Sequence, residues 1–92
     1  MEKRNCVESR KAAYGWIKSL FGIPESVQDE ITVLADALGG QFGLKDNLRA
    51  LRDGTSDPSS QLIDALKNKS MIGTQIPQEA IEANLLDPFK DC

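Results

Sequence analysis

Residues 24 to 40 read Pro24-Glu25-Ser26-Val27-Gln28-Asp29-Glu30-Ile31-Thr32-Val33-Leu34-Ala35-Asp36-Ala37-Leu38-Gly39-Gly40. Val27, Ile31, Leu34 and Leu38 fall at i, i+4, i+7 and i+11, a spacing that lines up one face of a helix. Glu25, Asp29, Glu30 and Asp36 supply an acidic complement. Pro24 suits a first helical turn, Glu25 there meets the positive end of the helix dipole, and Gly39-Gly40 is a stop. The stretch therefore predicts an amphipathic helix. No other stretch of the chain alternates apolar and polar residues with the period of two that a half-buried strand needs. The expected class is all-α.

The flanking sequence divides in the same way at Pro and Gly. Upstream, Val7 to Phe21 reads as a helix with Ala13, Tyr14, Ile17, Leu20 and Phe21 on one side, ended by Gly22 and Pro24. Downstream of Gln41-Phe42-Gly43, Leu44, Leu48 and Leu51 mark a short helix running to Asp53, with Gly54 as its stop. Asp57 as N-cap and Pro58 at the first helical position predict a fourth helix through Lys69, with Leu62, Ile63, Ala65 and Leu66 facing inward. Gly73 closes that segment. Pro77 opens a fifth helix bearing Ala80, Ile81, Leu85 and Leu86, which Pro88 ends. The expected architecture is a single compact bundle of four to five short helices over residues 1–92, with 88–92 as a frayed tail.

At 92 residues the chain holds one ordinary core, and a core of this size leaves roughly 4–8 kcal/mol of net stability. With 40% hydrophobic and 27% charged residues, the composition lies outside the disordered class. Only two cysteines occur, Cys6 and Cys92, far fewer than a disulfide framework uses, so free thiols and a cytoplasmic location are expected, with a bridge that ties the two ends together as the alternative. No apolar run approaches a membrane span, and the charges at Glu2, Lys3, Arg4, Glu8, Arg10 and Lys11 break up any ordinary signal peptide.

The chemistry-bearing residues argue against catalysis. Histidine is absent, which removes the commonest general base and the commonest zinc ligand. No phosphate-binding glycine motif occurs, and Asp53-Gly54-Thr55-Ser56-Asp57 lacks the ligand alternation and terminal Glu of a calcium loop. No cofactor, metal or catalytic residue is expected. Binding is the remaining class of function.

Net charge is −3, but its sign changes along the chain: residues 1–21 carry +3, residues 22–43 carry −4 and residues 74–92 carry −3. Three surfaces follow. On the third helix Lys45, Arg49 and Arg52 form a basic stripe beside the leucines. On the first, Trp16 and Phe21 with Arg10, Lys11 and Lys18 are candidates for a partner groove. The acidic surface of the second helix and of Glu79, Glu82, Asp87 and Asp91 suits a basic protein partner.

From Ile31 to Leu66 the chain also resembles the helix-turn-helix of the phage-repressor and Cro family. The likeness runs through Leu34-Ala35-Asp36-Ala37-Leu38-Gly39, then Leu48-Arg49-Ala50-Leu51-Arg52-Asp53-Gly54, then Pro58-Ser59 before Leu62 and Ala65-Leu66. The Gly39 to Gly54 spacing is about three residues longer than that family's turn and helix. The resemblance implies a DNA-binding regulator, with Lys45, Asn47, Arg49 and Arg52 as DNA contacts and Gln41 near the backbone. Two readings therefore stand: duplex DNA recognition, and an acidic inhibitor or adaptor, of the immunity or phage anti-defence type, that binds protein without DNA. A homodimer is open under either.

Overall fold

A computed structural model describes residues 6–68, 70–71, 74–90 and 92. Helix α1 spans Cys6–Phe21, α2 Glu30–Ala37, α3 Leu44–Asp53, α4 Ser60–Asn68 and α5 Gln78–Ile81. The last helix continues into a π-helical turn, Glu82–Leu86, and a 3₁₀ turn, Asp87–Phe89. Between α4 and α5, Ser70–Met71 (β1) pairs antiparallel with Thr74–Gln75 (β2), Ser70 opposite Gln75 and Met71 opposite Thr74. Two residues a side make a reversal of the chain rather than a layer of structure. The protein is an all-α compact globule, and its radius of gyration of 12.8 Å is close to the roughly 12 Å that a folded chain of this length has.

The centre of the core is α3. Leu44, Leu48 and Leu51 are fully buried and sit among Ile17 of α1, Leu34 and Leu38 at the end of α2, and Leu62 and Leu66 of α4. The most extensive packing is α3 on α1, then α3 on α2. Ile81 and Leu85 close the core from the C-terminal side.

Both ends of the α2–α3 hairpin are set by local chemistry. Asp29 caps α2, accepting from the Thr32 backbone N–H at 3.3 Å and from its hydroxyl at 2.8 Å. At the other end Gly40 N–H donates to Ala35 O at 2.8 Å and Gly39 N–H to Asp36 O at 3.1 Å, a Schellman closure that requires Gly39 at φ +107°. Helix α3 ends in the same motif, with Gly54 at φ +77° and Thr55 N–H donating to Ala50 O at 2.8 Å.

Several boundaries differ from the sequence reading. The second helix starts at Glu30, not at Pro24, because the Asp29–Thr32 cap fixes the first turn there; residues 22–29 form a connection and Val27 is only partly buried. Asp57 does not cap the fourth helix. That role falls to Ser59, whose hydroxyl accepts from Leu62 N–H at 3.1 Å, while Asp57 pairs with Arg10. Pro88 does not end the last segment but sits inside its 3₁₀ turn, and Phe89 packs against the core. The expected stops at Lys69 and Gly73 lie outside the described residues. Free thiols are also corrected: Cys6 and Cys92, 86 positions apart in sequence, are joined by a disulfide with their Cα atoms 6.3 Å apart.

Candidate functional site

Six residues, 38–43, connect α2 to α3, and three of them are glycines at positive φ. Leu38 at its start is buried in the core, but the glycines beyond it turn the backbone tightly and leave the one aromatic side chain of the connection outside. Phe42 is 95% exposed. Together with Gln41, Ala35, Asp36, Gly40, Gly43, Lys45 and Asp46, its ring walls an open cleft of about 350 Å³. Burying a phenylalanine side chain is worth roughly 1.5–3 kcal/mol, a contribution that the isolated chain forgoes here. Val33, 44% exposed on α2, is the other large apolar side chain left open in this part of the fold.

The basic stripe of α3 faces solvent as expected, yet most of its charge is met within the chain. Arg49 Nη1 lies 3.3 Å from Asp46 Oδ1, and Arg52 Nε lies 3.4 Å from Asp53 Oδ1. Asp29 is held below the usual carboxylate range, first by its bonds from Thr32 and then by the charges of Lys45 and Arg49. Glu30 is lowered by the Tyr14 hydroxyl that donates to it, by Lys18 and, at longer range, by Arg52. Lys45 makes no ion pair among the described residues, and neither does Asp36 across the cleft.

The remaining sequence-derived candidates fall into two groups. Asn47 is fully engaged in the α3–α4 connection: its Nδ2 donates to Asp57 O at 3.1 Å and its Oδ1 accepts from Ser59 N–H at 3.0 Å. Gln41 meets Gln61 at 3.4 Å beside the cleft. Trp16 and Phe21 are partly buried and pack against the core on the α1 side, away from the turn. The fold therefore brings Gln41 and Lys45 together with Asp36, read from the sequence only as part of the acidic surface of the second helix, and with Phe42, which the sequence reading did not single out. Phe42 had a legible signal, an aromatic bracketed by Gly-Gly-Gln and Gly, where no helix face exists to bury it.

Among the described residues no cluster of three or more metal-ligating side chains occurs, and no helix is long and apolar enough to cross a membrane. Comparison of the chain with protein-family models, with curated proteins and with solved structures finds no match in any of the three.

Proposed function

We propose that this chain is a non-catalytic protein-docking domain whose contact surface is the turn between α2 and α3. The observation that carries the reading is Phe42, an aromatic side chain held almost wholly in solvent by a glycine-rich turn and adjoined by a charged cleft. Protein interfaces concentrate binding energy in such aromatic anchors, surrounded by polar groups that fix orientation. The Cys6–Cys92 bridge supports an oxidising surrounding for this activity in preference to the reducing cytoplasm.

A helix-turn-helix DNA reader is the second reading. It is favoured by Lys45, which stands exposed without an ion pair at the start of α3. Against it weigh the carboxylates beside Arg49 and Arg52, the use of Asn47 inside the fold, and a connection of six residues where a helix-turn-helix has about three or four. Titration of the oxidised protein against random duplex DNA at low salt separates the two. Docking to protein alone predicts no binding at micromolar concentration. Binding that weakens steeply with salt and disappears when Arg49 and Arg52 are replaced by glutamine would overturn the protein-docking reading.

A further inference from the structure

We infer that the partner seated on this turn is a second copy of the same chain, related by a two-fold axis beside Phe42; the inference rests on the docking reading above. An isologous contact requires a patch that complements itself, so that residue i of one copy meets residue j of the other, and j meets i. The turn meets that requirement in shape. Phe42 projects into solvent and itself forms one wall of the open cleft of about 350 Å³, so two copies brought face to face can seat the exposed ring of each against the cleft of the other.

The turn meets it in charge as well. Asp36 and Lys45 wall the same cleft, carry opposite charge and have no ion pair among the described residues. Of the other charges near it, Asp46 is paired with Arg49, and Asp29 accepts from Thr32 and feels the charges of Lys45 and Arg49 at longer range, without an ion pair to Lys45. The inferred pairing sets Lys45 of each copy against Asp36 of the other, giving two equivalent ion pairs beside two reciprocal Phe42 contacts. The two oppositely charged residues thus sit around the Phe42 projection, the arrangement of a small interface with an apolar centre and a polar rim.

A contact built on a single aromatic side chain belongs with weak, transient interfaces, so association is expected only at high protein concentration. Burial of Phe42 holds the dimer together, and the Lys45–Asp36 pairs fix its orientation.

Sedimentation velocity of the oxidised chain between about 10 µM and 1 mM reads this directly. Wild type shifts from the 10.1 kDa monomer toward a dimer as concentration rises. Phe42→Ala moves the midpoint at least tenfold higher, since a central aromatic is the dominant anchor of such a contact. Asp36→Lys and Lys45→Asp each weaken self-association, because each sets like charges opposite one another in both pairs. An equimolar mixture of those two variants regains association, because Lys45 of the first then meets Asp36 of the second while the substituted positions also pair with opposite sign. All three positions are exposed, and matched thermal melts verify that the variants are folded. The inference is overturned if wild type sediments as a monomer at 1 mM, if Phe42→Ala associates like wild type, or if the mixture associates no better than either variant alone. A monomeric wild type leaves docking to a different protein standing, and that reading is decided separately by cross-linking from position 42.

Discussion

Arg10 and Asp57, 47 positions apart, meet at 2.7 Å from Nε to Oδ1, and the same guanidinium donates from Nη1 to Gly54 O at 2.9 Å. One side chain of α1 thus holds the α3–α4 connection against the first helix. Arg10 is 22% exposed but Asp57 is 43%, so the ion pair is largely solvated and the part-buried bond to the Gly54 carbonyl carries the greater share of the hold. Arg10→Ala removes the ion pair and leaves the Gly54 carbonyl short of its donor, at a cost of about 1–2 kcal/mol. Asp57→Ala costs about half of that because the carbonyl keeps its bond. Urea denaturation of the two single variants and the double variant checks the coupling.

Gly54 is the second hold on the same connection. A Cβ there would lie 2.8 Å from Val7 Cγ1 in a backbone at φ +77°. Gly54→Ala therefore combines a left-handed penalty of about 1–2 kcal/mol with overpacking of similar size, about 2–4 kcal/mol in all. Gly22→Ala, at φ +59° with nothing within 4 Å of the added atom, costs only the first part. A difference of about 1–2 kcal/mol between the two variants is the expected outcome.

The Tyr14–Glu30–Lys18 cluster sets two pH limits. Burial, then the bond and charge of Glu30, push the Tyr14 hydroxyl above its ordinary value, so the stability it contributes is complete below about pH 10 and is lost as pH rises beyond. Glu30, held low by Tyr14 and Lys18, contributes stability above its unfolded value near pH 4.5 that is lost as pH falls through its folded one. Tyr14→Phe should flatten the alkaline limb of a stability-against-pH curve and move the acid limb upward in pH. It should also cost about 1 kcal/mol near neutrality.

Closure of an 86-position loop by Cys6–Cys92 restricts the unfolded chain by about 4–5 kcal/mol in the chain-entropy account. That is most of the stability a domain of this size has. Reduction, or Cys6→Ser, should lower the midpoint of thermal unfolding by about 15 °C or more, read by circular dichroism with and without reductant.

The all-α class and the range of α3 were legible in the sequence because they rest on 3.6-residue periodicity and on Gly stops, which act within a turn or two. Leu34, Leu48 and Leu62 could be placed in the core from that spacing alone. What was not legible depends on partners distant in sequence. Asp57 looks like a helix cap until Arg10 is beside it, and two lone cysteines look unpaired until the fold brings residues 6 and 92 together. The start of α2 was misread for a local reason: Pro24 and Glu25 are good opening residues, but the Asp29–Thr32 cap is better. At the candidate site, the stripe of Lys45, Arg49 and Arg52 was legible as exposed, but its pairing with Asp46 and Asp53 depends on side-chain conformations that spacing alone does not give. Phe42 went unread because a periodicity argument has no place for a residue outside every helix.

The central claim is that the α2–α3 turn contacts protein through Phe42. Replacement of Phe42 by the photoreactive p-benzoylphenylalanine, followed by irradiation in cells producing the full chain, tests it most directly, with the same residue at exposed Lys67 of α4 as control. The account predicts a covalent adduct of higher mass at position 42, to a second copy or to another protein, and none at position 67. No adduct at position 42, or an adduct to nucleic acid there, would contradict it.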